Sequence, residues 1–200
     1  KFTKPKILNI GRFEKRKGHE IFIDTLNYLD QNIYDKTFII GSGSEEYSVY
    51  LENIIKDRSL NTKILTGKNN FEIVNILNQN AVVYLPVQYD SLNLVALEAI
   101  LSGCPTIVSD KAGVCKYLDK FYPNIIYLKI NLDDHSNEIS KISDFIKNFS
   151  IHRNKNLFEI KKIKELENLQ SNFEKFYQSL DDNLNKISRN TYKKKRFNFE

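Results

Sequence analysis

The chain has 200 residues, of which 41% are hydrophobic and 12% aromatic, so one large domain can bury a substantial core. Its 30 Lys and Arg against 25 Asp and Glu leave a formal charge of +5. This charge is too mild to indicate a nucleic-acid partner, and we expect none. The two cysteines show no CxxC spacing, which argues against a disulfide framework and favours a reducing, cytoplasmic compartment. No apolar run approaches the roughly 18 residues needed to span a bilayer.

Two features near the chain ends bear on its context. The chain contains no Met, so we expect a piece of a longer protein or a processed product. The segment YKKKR at 192–196 places cations close to the C-terminus. This segment is either a solvated tail or a contact for anionic lipid or another acidic partner. The second alternative implies a peripheral position at the inner face of a membrane.

Apolar runs and amphipathic segments alternate through the first part of the chain. The run KILNIG at 6–11 predicts a strand, and the segment at 19–30 has apolar residues at helical spacing. Further strands are predicted at 36–41, 62–67, 81–87, 105–110 and 124–130, and further helices at 44–57, 70–80 and 92–103. The strand-like runs do not alternate apolar and polar residues, which indicates parallel strands covered on both faces. With right-handed crossovers, these elements predict a doubly wound, Rossmann-like α/β sheet.

The pattern changes beyond the last predicted strand, and we divide the chain there into a sheet domain (1–130) and a helical appendage (131–200). An amphipathic helix is predicted at 136–149, and a longer one from about Leu157 to Ile187. The long helix either packs on the sheet domain, which we favour, or pairs with a partner helix in a coiled coil.

Ligands of doubly wound sheets bind at the carboxyl ends of the strands, and the loops predicted there carry unusual residues. The segment IGRFEKRKG places Arg12 directly after the first strand and Lys17 just before the first helix. A forked and a mobile cation at that corner suit a diphosphate; the alternative is a basic loop that faces solvent. The segment IIGSGSEE places Gly41 and Gly43 after the second strand. It lacks the third glycine of a dinucleotide fingerprint, and by itself it is compatible with an ordinary turn.

The stretch YDSLNLVALEAILSGCPTIVSD holds two carboxylates. We predict Asp90 at the end of the fourth strand and Glu98 about two turns into the following helix. The helix begins near Ser91–Asn93, and we expect its first N–H groups to be free and to face the same cleft as the cationic loop. Carboxylates repel phosphate but accept hydrogen bonds from hydroxyls. A nucleotide sugar, with a central diphosphate and hydroxyl-rich rings at both ends, would use all of these groups.

The residues alone leave two alternatives for the carboxylates. Asp90 and Glu98 could form an acid–base pair of the kind that hydrolyses glycosides, although this leaves the cationic loop without a role. They could also be a loop acid and a helix-face acid that share no function.

Four segments in order carry a family resemblance: IGRFEKRKG, IIGSGSEE, LTGKNN and LPVQYDSLNLVALEAILSGCPTIVSD. Over about residues 6–130 the chain resembles the C-terminal, donor-binding half of retaining glycosyltransferases of the two-domain GT-B architecture, in the large family of bacterial polysaccharide group 1 glycosyltransferases. The resemblance implies transfer of a hexose from a UDP- or GDP-sugar to a glycan or lipid-linked acceptor, with retention at the anomeric carbon. It also implies that the reaction needs neither a divalent metal nor another cofactor.

The resemblance further implies roles for individual residues. Arg12 and Lys17 bind the donor diphosphate and stabilise the leaving nucleoside diphosphate. Glu98 accepts hydrogen bonds from the ribose hydroxyls, and Asp90 stands where the family has a glutamate beside the transferred sugar. Further substrate contacts are implied for the glycine turns, the base-side loop and the helix start: Gly11, Gly41, Gly43, Gly67, Lys68, Ser91, Leu92, Asn93 and Leu94.

The chain departs from the family pattern in the acid-pair segment. Asp90 is one methylene shorter than glutamate, and Ser91 and Asn93 stand where the family usually has glycines. These departures motivate an alternative function, a catalytically decayed binding or assembly module of the same fold.

The family's N-terminal acceptor domain, which normally supplies a catalytic-site histidine, has no counterpart in this chain. We therefore expect that domain to be a partner from the same protein and the isolated chain to be inactive in transfer. His19, His135 and His152 fall at no matching position, and we expect each to be structural or exposed.

Overall fold

The computed structural model of the protein describes residues 4–166, with side chains described for residues 4–163. Its sheet contains the strands β1 (Lys6–Ile10), β2 (Thr37–Ile40), β3 (Thr62–Leu65), β4 (Ala81–Leu85), β5 (Thr106–Ser109) and β6 (Leu128–Ile130). All neighbouring strands are parallel, in the spatial order β3-β2-β1-β4-β5-β6. This is the order of a doubly wound sheet, in which the winding reverses between β1 and β4. The predicted fold class is therefore confirmed.

Helices connect the strands and flank the sheet: α1 (His19–Tyr28), α2 (Glu45–Asp57), α3 (Asn70–Leu77), α4 (Leu94–Leu101), α5 (Val114–Phe121), α6 (His135–Lys147) and α7 (Phe149–Leu166). Their starts follow the local sequence. The Ser44 hydroxyl accepts the Tyr47 N–H at the start of α2, as its position predicts. Asn69 and Glu72 form a reciprocal capping box at the start of α3.

Two predicted boundaries in the C-terminal part were wrong. β6 begins at Leu128 rather than at residue 124. The Asn156 side chain accepts the Ile126 N–H at 2.7 Å and donates to the Ile126 carbonyl at 2.8 Å, so a side chain rather than a neighbouring strand bonds the main chain there. α7 begins at Phe149 rather than near Leu157, since the buried Phe149 ring anchors a first turn whose one other apolar residue, Ile151, is exposed. The rest of the helix predicted to Ile187, and the basic segment at 192–196, lie outside the described residues.

The boundaries around the acid pair also shift. β4 ends at Leu85, because Pro86 has no N–H to continue the ladder, so Asp90 lies in the loop beyond the strand. α4 begins at Leu94, with Asn93 as its N-cap, which places Glu98 little more than one turn into the helix rather than two.

The core of the sheet unit includes the helix that follows β6. Ile142, Phe145 and Ile146 of α6 are buried in one cluster with Ile130 of β6 and with Phe149. The compact unit that holds the sheet ends at Glu159, and the described residues after it belong to a second unit. The division into 1–130 and 131–200 stays a prediction. Among residues 4–166, no helix is both long and apolar enough to cross a membrane.

Candidate functional site

A crevice opens where β1 and β4 separate. The two strands pair only between Lys6–Leu8 and Ala81–Val83. Beyond these residues β1 continues its pairing with β2, and β4 with β5. The carboxyl ends of β1 and β4 therefore diverge at the point where the winding of the sheet reverses, which is where doubly wound sheets bind ligands. The loops 11–18 and 86–93 leave the sheet on either side of this point.

The two loops are held against each other by main-chain contacts. The Gln88 N–H donates to the Arg16 carbonyl at 2.8 Å. Gly18 has a φ of +74°, and a Cβ added to it would lie 1.9 Å from the Pro86 carbonyl oxygen. Both its conformation and its contact therefore require glycine at this position. These two contacts hold the loops 11–18 and 86–93 at a fixed distance from each other.

Lys17 and Asp90 meet across the crevice in an ion pair. The Lys17 Nζ lies 2.5 Å from the Asp90 Oδ2, and these side chains are only 17% and 12% exposed. The other carboxylate oxygen of Asp90 accepts the Asn93 N–H at 3.0 Å. Burial by itself would raise the pKa of Asp90, but Lys17 and the N–H groups of Asn93 and Leu92 outweigh it and lower that pKa. Asp90 is therefore an ionised acceptor rather than a proton donor.

This arrangement corrects one expectation about the helix start. The N–H groups just before α4, which we expected to be free for a ligand, are engaged by the Asp90 carboxylate. Asn93 has a φ of +60°, and its side-chain oxygen accepts the Ala96 N–H at 3.1 Å, capping the helix. Asn adopts this left-handed conformation more readily than other non-glycine residues. Asn93 therefore adopts a left-handed conformation that glycine, the residue that the family resemblance implies here, would also adopt.

Arg12 stands at the other end of the cationic loop with its side chain largely in solvent. Its side chain is 75% exposed, and its nearest ionic contact is a loose one, with a guanidinium nitrogen 3.7 Å from a Glu14 carboxylate oxygen. Glu14 makes a closer pair with Arg16, at 2.7 Å. Arg12 therefore has most of its donors available for a ligand.

Glu98 lies on the exposed side of α4, while Leu97 and Ala99 beside it are buried. Within residues 4–163, no hydrogen bond or ion pair engages its carboxylate. Partial burial raises its pKa. A carboxylate with all of its acceptor sites unused is suited to accept hydrogen bonds from ligand hydroxyls.

The family membership of the chain follows from a direct comparison with known proteins. Residues 1–147 match the family described as glycosyl transferases group 1. The chain belongs to this group 1 glycosyltransferase family. The family resemblance of the four sequence segments is thereby confirmed.

Individual relatives give the same picture. The chain is 28% identical over 138 residues to the UDP-Gal:alpha-D-GlcNAc-diphosphoundecaprenol alpha-1,3-galactosyltransferase of Escherichia coli, a match that covers 68% of this chain and 35% of that protein. It is 25% identical over 143 residues to the alpha-D-kanosaminyltransferase of Streptomyces kanamyceticus, covering 70% of this chain and 37% of that one. The chain therefore spans little more than a third of the length of these relatives. The sucrose-phosphate synthase of Thermosynechococcus elongatus shares the fold, with a TM-score of 0.69 at 20% identity over 88% of this chain and 45% of that structure.

The glycine turns of this group 1 chain pack against each other. A Cβ on Gly41 would lie 1.9 Å from the Gly11 carbonyl oxygen. Gly43 forms an isolated parallel bridge with Phe13. The close approach of the Gly11 carbonyl explains why position 41 requires glycine. The predicted ligand contacts of Gly11, Gly41 and Gly43 stay predictions.

The loop after β3 and the start of α4 complete the set of predicted substrate contacts. Gly67 has a φ of +67° and open space where a Cβ would lie. Lys68 pairs with Glu72 at 2.6 Å. Ser91 and Leu94 are exposed and Leu92 is partly exposed. Their roles toward a donor stay predictions.

Sequence reasoning missed one residue that contacts the cationic loop. His19 is fully buried, and its Nε2 lies 2.7 Å from the Arg12 carbonyl oxygen. A histidine directly after the loop was the available signal. His135, by contrast, bonds the Tyr84 hydroxyl at 2.8 Å, and His152 stacks on a phenylalanine of α6.

Proposed function

We propose that this chain is the donor-binding domain of a retaining glycosyltransferase. It binds a UDP- or GDP-sugar at the β1–β4 crevice and, as part of a longer protein, transfers a hexose to a glycan or lipid-linked acceptor. The observation that carries the proposal is the convergence of Lys17, Asp90 and the start of α4 at the point where the sheet reverses its winding.

The cationic loop supplies the diphosphate site. Lys17 sits where main-chain contacts fix the loop, and the exposed Arg12 guanidinium is available from the other end. Together they would balance the charge that develops on the leaving nucleoside diphosphate, without a divalent metal or another cofactor. Donor binding would replace the Asp90 carboxylate at Lys17 by a phosphate.

The two carboxylates contribute in different ways. Glu98, which has no partner among the described side chains, would accept hydrogen bonds from the ribose hydroxyls. Asp90, released from Lys17, would accept a hydrogen bond from the transferred sugar. In a hydrolytic acid–base pair the lowered pKa of Asp90 would suit it only for the ionised part, and such a pair would leave the cations Lys17 and Arg12 without a role.

The acceptor site lies outside this chain in the proposal. The relatives are much longer than the chain, which supports a second domain that binds the acceptor. The name of the Escherichia coli galactosyltransferase specifies a diphosphoundecaprenol-linked acceptor, which supports a lipid-linked acceptor here. Such an acceptor would bring the protein, in the cytoplasm, to the inner face of a membrane.

Nucleotide binding by the chain itself tests the donor site. We expect calorimetric titration to show binding of UDP or GDP, and Lys17→Ala and Arg12→Ala each to weaken it by about tenfold or more, equivalent to about 1.4 kcal/mol. Lys15→Ala is the matched control, since Lys15 is an exposed cation of the same loop and should change Kd by less than about threefold. A folded chain that binds no nucleotide or nucleotide sugar would contradict the proposal and favour the decayed module.

A second titration tests the ribose assignment. Glu98→Gln should weaken binding of UDP more than binding of 2′-deoxy-UDP, because the latter lacks one of the hydroxyls that the carboxylate accepts. Equal weakening for both ligands would remove Glu98 from the ribose site. Retention and metal independence are tested on the longer protein, by the anomeric configuration of the product and by activity in EDTA.

A further inference from the structure

A buried chain of hydrogen bonds connects β4 to the cationic loop. At the point where β1 and β4 stop pairing, the Asn9 side-chain amide donates to the Tyr84 carbonyl at 2.8 Å. The amide oxygen of Asn9 faces the Nδ1 of His19. The opposite ring nitrogen of His19 lies 2.7 Å from the Arg12 carbonyl oxygen. The contacts therefore run from the central sheet through two buried side chains to the main chain of Arg12.

The ring of His19 is held in place on its other sides as well. Phe13 meets it edge-on at 5.7 Å between ring centroids, and the Tyr47 ring lies 6.1 Å away. Asn9 and His19 are 1% and 0% exposed. A buried imidazole that is packed and bonded at both nitrogens has one orientation available, so the position of the Arg12 carbonyl is set by the core.

We propose that His19 is a positioning residue for donor binding, which ties the Arg12 main chain to the core and so directs the Arg12 guanidinium toward the crevice. This inference rests on the proposed donor site. Arg12 needs such a constraint because its own side chain is exposed and has only a loose ionic contact. The N–H groups of Gly11 and Phe13 on either side of Arg12 bond main-chain carbonyls at the end of β2. Without His19 the Arg12 carbonyl loses its own contact with the core, and Arg12 can adopt orientations that do not meet the diphosphate.

The protonation of His19 is coupled to these contacts. Both ring nitrogens face oxygen atoms, and the amide nitrogen of Asn9 is committed to Tyr84. Only the doubly protonated ring can donate to both oxygens at once. Burial, the largest effect, together with Lys17 outweighs the hydrogen bond to the Arg12 carbonyl and the charges of Glu20 and Glu14, so the pKa of His19 is lowered from its usual value of about 6.5 and the second proton is lost below that pH. Loss of one proton as the pH rises should therefore weaken one of the two bonds and, with it, nucleotide binding.

Two substitutions separate the bonds. In His19→Gln the side-chain amide nitrogen can lie where Nε2 lies in histidine and donate a hydrogen bond to the Arg12 carbonyl. In His19→Asn the shorter side chain places this nitrogen only where Nδ1 lies, so the bond to Arg12 is lost. We expect the Kd for UDP, titrated at a temperature where every variant is folded, to rise by less than about threefold in His19→Gln and by about tenfold or more in His19→Asn. The same pair of substitutions at the half-buried His152 is the matched control and should give equal Kd values. Equal affinities of His19→Gln and His19→Asn would overturn the proposal.

A measurement on the unsubstituted chain covers the case in which these variants do not fold. Binding linkage is reciprocal, so a ligand that prefers the protonated ring must raise the pKa of that ring. We expect saturating UDP to move the NMR titration midpoint of His19 upward while that of His152 stays in place. An unchanged midpoint for His19 would overturn the proposal. If UDP and GDP do not bind at all, the donor site itself fails; if they bind and Lys17→Ala weakens binding as expected, only the role of His19 is in question.

Discussion

Replacing Asp90 by Asn is expected to strengthen the binding of free UDP or GDP. In the structure the Asp90 carboxylate forms an ion pair with the Lys17 ammonium group. An incoming diphosphate must therefore displace this carboxylate from Lys17 and is repelled by its negative charge. Asn at position 90 removes the charge but keeps a side-chain oxygen that can accept the Asn93 N–H. The turn before α4 should therefore persist while the competition for Lys17 ends.

The size of the effect follows from the contact that is lost. The Nζ–Oδ2 distance is 2.5 Å and both side chains are largely shielded from solvent. A hydrogen bond to a charged group contributes about 1.5–3 kcal/mol. Since about 1.4 kcal/mol corresponds to a tenfold change, the Kd for UDP should fall by roughly tenfold and at most about a hundredfold. The free energy of unfolding should fall at the same time, by about 1–2 kcal/mol, because Asn bonds Lys17 more weakly.

Calorimetry at pH 7 measures the affinity, and urea denaturation measures the stability. Asp119→Asn is the matched control: it removes the same charge from another ion-paired aspartate, whose partner Lys129 lies at 3.1 Å, near the C-terminal end of α5. This control should leave the Kd nearly unchanged. With a UDP-sugar the gain should be smaller, since Asp90 is then proposed to contact the sugar. An unchanged or higher Kd for UDP in Asp90→Asn would refute the view that the carboxylate competes with phosphate at Lys17.

Three further predictions concern stability and reactivity. Gly18→Ala should destabilise the chain far more than Gly67→Ala in urea denaturation; both have positive φ, which costs about 1–2 kcal/mol, but only at Gly18 would a Cβ also meet a main-chain oxygen, at 1.9 Å. Because the pKa of Asp90 is lowered on folding, the stability it contributes is present above the unfolded value of about 4 and is lost as the pH falls through the folded value. Urea curves at pH 6, 4 and 3 should show a larger loss of stability in the wild type than in Asp90→Asn, in which Glu72 and Asp119 still contribute to the loss. Burial raises the pKa of Cys104 to about 12 and that of Cys115 to about 11, so neither thiol should react with an aromatic disulfide reagent at pH 8 until the chain is unfolded.

Local sequence patterns predicted every strand of the sheet and the helices around it except α5, for which no helix was predicted. The apolar runs that became β1 and β4 are long enough and flanked by enough glycine and helix-start residues to define strands of a parallel sheet. One boundary was predicted wrongly because a distant side chain bonds the main chain there. The strand predicted from residue 124 begins only at Leu128, because Asn156 bonds the Ile126 main chain. No sequence pattern near residue 126 indicates this contact.

The candidate site divides in the same way. Arg12, Lys17, Asp90 and Glu98 could be proposed from sequence, because in a parallel sheet the loops at the carboxyl ends of the strands gather at one edge. The state of each group could not, since it depends on contacts between residues far apart in the chain. Lys17 and Asp90 are 73 positions apart, and only their meeting shows that the acid neutralises the cation and occupies the helix start.

The sequence by itself determined the class of fold, the edge of the sheet that holds the site and the residue types available there, because hydrophobic periodicity and chain direction are local properties. Only the tertiary structure decided which of those residues are already engaged. It placed Asp90 on Lys17, left Glu98 without a partner among the described side chains, and buried His19 between Asn9 and the Arg12 carbonyl. The physical reason is that hydrogen bonds and ion pairs require approach within about 3 Å, and such approach between distant segments is set by the packing of the whole sheet.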